Sequence, residues 1–173
     1  MVGSRRFPTV FLSVFVGFVV LDQLIKAWSR NTAFGEGHVF NALWPNVFEL
    51  KLAYNHGIAF GLFQGFGVVF APIAILIAGY AAWHASRIDP SKKLMHFTIG
   101  MLAAGAVGNL IDRVWMGKVT DMFWFRLINF PVFNLADACI TVSAVLLAVL
   151  SIRENEARRP ESQVPQTDSI PPA

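Results

Sequence analysis

Four long apolar runs constrain this chain of 173 residues more than any other feature. They lie at about residues 8–28, 66–83, 94–112 and 133–151. Each is close to the length that an α-helix needs to cross the hydrocarbon core of a bilayer, about 20 residues. The chain is 55% hydrophobic and only 14% charged, which leaves too little charge to cover a soluble domain of this size. The sequence therefore predicts an all-α membrane protein with four transmembrane helices.

The segments between and after these runs predict the rest of the domain. The first run is too long for a signal-peptide core and no small-residue cleavage site follows it, so we expect a retained span. Residues 31–64 alternate apolar and polar side chains, which is typical of short strands, and Asn55, His56 and Gly57 suggest a turn. We therefore expect a small β-rich cradle between the first and second spans. Residues 1–153 form one membrane domain, and residues 154–173 are predicted to be a disordered cytoplasmic tail.

The placement of Lys and Arg predicts the orientation of the chain. Basic residues are concentrated before the first run, between the second and third, and after the fourth, so both termini should be cytoplasmic. They are too dispersed for a nucleic-acid partner. Under this topology Asp22, Asp112 and Asp137 all fall near the outer surface, beside Asp121 in the connector at 115–131. Because ionisable groups are costly in a bilayer, this convergence predicts one functional site at the outer face.

Two pairs of these polar residues also have a purely structural interpretation. Asn134 and Asp137 have the spacing of a helix N-cap and the third helical position, where both side chains are favourable. This cap would be compatible with a catalytic role, because it would fix the geometry of the acid. Asp22 and Lys26 have the acid-before-base order of an intrahelical ion pair, although Asp22 could also contact a substrate.

The remaining polar residues leave similar alternatives. Asn109 and Asp112 are three residues apart and share a face of the third helix. Because Asp112 is followed by Arg113, a structural ion pair between them is the alternative to a role in the site. Asp121 is predicted to lie in a loop, where a carboxylate is ordinarily solvated. The aromatic residues that follow it would desolvate it and hold its pKa above the usual range.

Two carboxylates held close together share a proton, so one can activate water while the other donates to a carbonyl oxygen. Asp121 and Asp137 are the best candidates for such a pair. There is no Ser–His–Asp arrangement and no HExxH spacing, and Cys139 has no obvious base. A proton-coupled transporter would use similar acids, but it predicts polar residues continuing through the membrane. A non-catalytic lipid-binding or assembly protein would leave both aspartates without a purpose.

Taken in order, five motifs resemble those of the lipoprotein signal peptidases. These are the bacterial type II signal peptidases, a family of aspartic intramembrane proteases. The resemblance covers about residues 15–145. Its motifs are Asp22-Gln23 with Lys26, the segment Asn55–Gly61, Gly105–Asn109 with Asp112-Arg113, Val119–Asp121 and Phe133–Asp137.

The resemblance implies a membrane aspartic endopeptidase that removes the signal peptide from diacylglyceryl-modified prolipoproteins, cutting just before the lipidated cysteine. It implies that Asp121 and Asp137 are catalytic, with no metal and no organic cofactor. It implies the inner membrane of a bacterium, with the active site near the outer face and in contact with lipid. A four-helix unit is large enough to act as a monomer. Residues that match positions shaping the site or binding the substrate are Asp22, Lys26, Asn55, Gly57, Asn109, Asp112, Arg113 and Asn134.

Overall fold

A bundle of apolar helices with a small sheet at one end makes up the part of the chain that the computed structural model describes, residues 9–57 and 71–157. Its elements, in chain order, are α1 (Thr9–Thr32), β1 (Val39–Trp44), β2 (Phe48–Asn55), α2 (Ala71–Ala85), α3 (Lys93–Met116), β3 (Val119–Phe125), a short 3₁₀ turn (Arg126–Ile128) and α4 (Leu135–Ala157).

Three of the described helices, α1, α3 and α4, are long and apolar enough to cross a membrane, with 24, 24 and 23 residues. The chain is therefore a multi-pass membrane protein. The described part of α2 has 15 residues. The predicted second span begins at residue 66, outside the described ranges, so the count of four spans stays a prediction.

Helix α3 lies at the centre and packs against each of the other three helices. Its small residues allow the neighbouring backbones to approach closely. A Cβ at Gly105 would lie 2.5 Å from the carbonyl oxygen of Ala136 on α4, and a Cβ at Gly108 would lie 2.6 Å from Asp22 Oδ2 on α1. The close approach of α1 and α4 to α3 brings their polar residues to the same end of the bundle.

The sheet is antiparallel in the order β1-β2-β3 and differs from the expectation in one respect. Strand β3 comes from the connector between α3 and α4, and Asp121 on β3 pairs with Ala53 on β2. The expectation that Asp121 lies in a loop is therefore wrong. The segment after the first span supplies β1 and β2, as expected of short strands there, and the connector adds the third strand. Five of the seven residues at 119–125 are β-branched or aromatic, which favours a strand, but the charged Asp121 among them obscured that pattern.

The structure also defines the ends of two helices and the turn after β2. Helix α4 continues to Ala157, so residues 154–157 are helical; residues 158–173 lie outside the described ranges, and the tail stays a prediction. Helix α1 continues to Thr32, which places Arg30 in its last turn. The predicted turn after β2 is present, since the N–H of Gly57 donates to Asn55 Oδ1 over 2.9 Å. The rest of the predicted strand segment, residues 58–64, lies outside the described residues.

Candidate active site

Helix α4 begins with a reciprocal pair of hydrogen bonds that fixes Asp137. Asn134 Oδ1 accepts from the N–H of Asp137 over 2.9 Å, and Asp137 Oδ2 accepts from the N–H of Asn134 over 3.2 Å. This is a capping box, in which the cap and the third helical residue satisfy each other's free N–H groups. The predicted cap is confirmed, and it holds the Asp137 carboxylate against the start of the helix.

Two carboxamides join the two candidate catalytic aspartates. Asn134 Nδ2 donates to Asp121 Oδ1 over 2.7 Å and to Asn109 Oδ1 over 3.0 Å. Asn109 Nδ2 in turn donates to Asp137 Oδ1 over 2.7 Å. The chain of bonds from Asp121 through Asn134 and Asn109 to Asp137 therefore fixes both carboxyl groups in one polar cluster. We call these four residues the dyad network.

The surroundings of Asp121 favour its protonated form. Asp121 on β3 is only 3% exposed. Burial raises the pKa of Asp121 to about 8, and the nearby Asp137 carboxylate adds to the rise, while the hydrogen bond from Asn134 opposes it. Burial and the neighbouring carboxylate therefore both favour a proton on Asp121. The rise in pKa that the sequence predicted is confirmed.

Behind the dyad network lies a buried cluster of charges centred on Lys26. Its Nζ lies 2.9 Å from Asp22 Oδ2 and 3.4 Å from Asp112 Oδ2, and it donates to Asn109 Oδ1 over 3.0 Å. The predicted pair between Asp22 and Lys26 is present, whereas Asp112 pairs with Lys26 and not with Arg113. All three charged side chains are at most 2% exposed. They contact residues and backbone groups that support the dyad network, and none of them lines the cavity described below.

Each acid of this cluster also holds an element that carries a candidate catalytic residue. Asp22 Oδ1 accepts from the N–H of Ala136 over 3.0 Å, in the first turn of α4 next to Asp137. Asp112 Oδ2 accepts from the N–H of Thr120 over 2.8 Å, on β3 next to Asp121. The cluster therefore fixes β3 and α4 relative to α1 and α3.

Arg113 connects α3 to the residues that follow β2. Its Nη2 donates to the carbonyl oxygen of Gly57 over 3.1 Å, and its Nη1 donates to the carbonyl oxygen of Asn109 over 3.4 Å. The first bond ties Gly57 to α3, and Asn55, two residues earlier, lines the cavity described below. The role of both residues in substrate binding stays a prediction.

A cavity of about 430 Å³ opens beside Asp137. Asp137, Asn55 and Thr141 are the polar residues that line it, and most of its wall is apolar. Asp137 is half-buried, so this side of the dyad network is the accessible one. Within the described ranges no group of His, Cys, Asp and Glu side chains is arranged to hold a metal ion. The apolar wall includes Phe130, Pro131, Phe133, Ile140 and Val142.

Sequence reasoning assigned no role to three residues that support the site. Gln23 donates to Asp22 Oδ2 and to the carbonyl oxygen of Gly108, both over 3.0 Å. Arg30 Nη1 donates to Thr120 Oγ1 over 2.8 Å. Arg30 could have been found, because it lies four residues after Lys26 and so shares its helix face. Thr120 has no local signal, since its contacts depend on how β3 packs.

Comparisons with known proteins point to one family. The family model described as signal peptidase (SPase) II matches residues 14–153. The lipoprotein signal peptidase of Gloeobacter violaceus is 36% identical over 96% of this chain and 94% of its own length. That of Lactiplantibacillus plantarum is 32% identical over 84% and 96%.

Two solved structures share the fold. One is described as a bacterial membrane enzyme determined by the in meso method at 2.3 Å; it has a TM-score of 0.78 and 26% identity over 86% of this chain and 91% of that chain. The second, a bacterial membrane enzyme at 1.9 Å, has a TM-score of 0.71 and 29% identity, covering 81% and 90%.

Proposed function

Because the chain belongs to the signal peptidase II family, we propose that it is a membrane endopeptidase that cleaves the signal peptide from prolipoproteins, with Asp121 and Asp137 as its catalytic pair. The observation that carries the assignment of the pair is the dyad network, in which Asn134 and Asn109 link the two carboxyl groups. Side chains from β3, α3 and α4 thus meet at one point, beside an apolar cavity.

The two aspartates have different surroundings and take different roles. Buried Asp121 holds the proton that the pair shares and donates it to the carbonyl oxygen of the scissile bond. Half-buried Asp137 lines the cavity and, as the carboxylate, removes a proton from the attacking water. The tetrahedral intermediate then collapses as Asp137 passes this proton to the leaving nitrogen, and Asp121 recovers its proton from the new hydroxyl group.

The cavity fits a substrate that is partly lipid. Its wall is apolar, and Val142 of α4, which lines it, is 49% exposed on the surface of a spanning helix. A precursor whose cysteine carries diacylglycerol would place its acyl chains along such a wall while the peptide bond before the cysteine lies at Asp137. We propose cleavage at that bond, in the cytoplasmic membrane of a bacterium, with the site near the outer face.

Cleavage of a purified precursor tests this function. The protein is incubated in detergent with a diacylglyceryl-modified prolipoprotein and, separately, with the same precursor lacking the lipid. We expect only the lipidated precursor to be cut, and mass spectrometry should show a product that begins with the modified cysteine. Equal cleavage of both precursors would contradict the proposed substrate class, and no cleavage of either would contradict the proposed function.

A further inference from the structure

The first residues of β3 are held from two directions by groups that do not belong to the dyad network. Thr120, immediately before Asp121, is fully buried. Its N–H donates to Asp112 Oδ2 on α3 over 2.8 Å, and its Oγ1 accepts from Arg30 Nη1 on α1 over 2.8 Å. One residue is thus tied to two helices, through its backbone and through its side chain.

Arg30 also completes the charge balance of the buried cluster. Lys26 alone faces two carboxylates, Asp22 at 2.9 Å and Asp112 at 3.4 Å. The Nη1 of Arg30 lies 4.0 Å from Asp112 Oδ1 and supplies the second positive charge. Two cations then match two anions, so Asp112 can keep its bond to the β3 backbone without an unpaired buried charge.

From this geometry we propose that Arg30 and Thr120 form a clamp that positions Asp121 for catalysis, an inference that rests on the proposed function. Successive side chains of a strand point to opposite faces, so Thr120 turns toward α1 while Asp121 turns toward Asn134. A small rotation or slip of β3 would therefore move the Asp121 carboxyl group away from the bond that must receive its proton. Arg30 and Thr120 contact no reacting atom, and they act only through the strand.

The experiment measures kcat and KM for the lipidated precursor with Arg30→Met, Thr120→Val and the double variant. Because the lost bond has a charged donor, each single variant should lower kcat by roughly 10-fold to 100-fold. KM should stay within about 2-fold of wild type, since the cavity wall is untouched. The double variant should be no slower than the slower single variant, because both changes remove the same bond.

Two conservative changes and one control complete the design. Thr120→Ser keeps the accepting oxygen and should recover most of the activity, and Arg30→Lys should recover part of it. Lys118→Met removes a cation that stacks on Tyr54 at 3.5 Å beside the same strand, and it should have wild-type kinetics. The Arg30 side chain is 26% exposed, so its replacement should disturb folding less than a change at buried Thr120. If Thr120→Val does not accumulate as folded protein, Arg30→Met alone tests the proposal.

The possible results separate this proposal from the proposed function. If wild type cleaves the lipidated precursor and folded Arg30→Met keeps wild-type kcat, the clamp is wrong and the peptidase assignment stands. Single effects that multiply in the double variant would also overturn the clamp, because the two residues would then act independently. If wild type itself does not cleave, the proposed function fails and the clamp fails with it.

Discussion

Replacing Asn134 by Ser separates the catalytic role of this residue from its structural role. In the wild type, Asn134 Oδ1 caps α4 and Asn134 Nδ2 holds Asp121 at 2.7 Å. Serine is as good an N-cap as asparagine, so its hydroxyl should keep the bond from the N–H of Asp137. The donor to Asp121 is lost, and with it the link between the two aspartates through Asn109.

The magnitude follows from the bonds that are lost. A hydrogen bond that involves a charged group contributes about 1.5–3 kcal/mol. If this contribution is needed in the transition state, kcat should fall by about 10-fold to 150-fold, at 1.36 kcal/mol for each factor of ten. The cap is retained, so the free energy of unfolding should change by no more than about 0.5 kcal/mol from this source.

The pH dependence gives a second and independent measure. Activity requires a proton on Asp121, so it should be lost as the pH rises through the pKa of Asp121, about 8. The hydrogen bond from Asn134 lowers this pKa, so its removal should shift the alkaline limb of the profile to higher pH. The assay is a profile of kcat from pH 5 to pH 10, a range that includes the pKa of Asp121 at about 8.

The control is Asn41→Ser, which makes the same chemical change at an exposed position of β1 and should leave both kcat and the profile unchanged. Wild-type kcat in a folded Asn134→Ser protein would refute the role given to Asn134. A shift of the alkaline limb to lower pH would refute the account of Asp121, because the lost bond would then have favoured the protonated form.

Three further predictions concern stability in detergent. Lys26→Met leaves the carboxylates around it without their buried cation and should lower the free energy of unfolding by about 3–5 kcal/mol in equilibrium unfolding. Gly105→Ala places a Cβ 2.5 Å from the Ala136 carbonyl oxygen and should cost about 1–3 kcal/mol in the same assay, whereas Gly79→Ala, with no atom within 4 Å, should cost nothing. Because the folded-state pKa of Asp121 is raised, its contribution to stability is present at low pH and is lost as the pH rises through about 8. Asp121→Asn should therefore melt above wild type at pH 9, and the difference should shrink toward pH 5; a constant difference would contradict this account.

Features that depend on local sequence could be predicted. The apolar runs predicted the three described helices of spanning length, and the spacing of Asn134 and Asp137 predicted the cap. The i,i+4 order of Asp22 and Lys26 predicted their ion pair. These features depend on residues within one helical turn or one apolar run, so they can be predicted without knowing any tertiary contact.

Features that depend on contacts between distant segments could not be predicted. Strand β3 pairs with β2, more than 60 residues earlier, and the charged Asp121 within it obscures the local strand signal of its β-branched and aromatic residues. The partner of Asp112 is Lys26 on another helix, although Arg113 is its neighbour in the chain. The aspartates could be proposed as a pair from topology. The hydrogen bonds by which the Asn134 carboxamide links them through Asn109 depend on the packing of α3, β3 and α4, so they could not be predicted.

The most direct test of the account is cleavage of the diacylglyceryl-modified precursor by wild type, Asp121→Asn, Asp137→Asn and Asp89→Asn. The last variant makes the same change in an exposed loop away from the dyad network and serves as the control. We predict that each dyad variant, still folded, loses at least about 10³-fold in kcat, because neither can complete the proton transfers, while Asp89→Asn cleaves like wild type. Normal cleavage by either folded dyad variant would contradict the proposal that Asp121 and Asp137 are the catalytic pair.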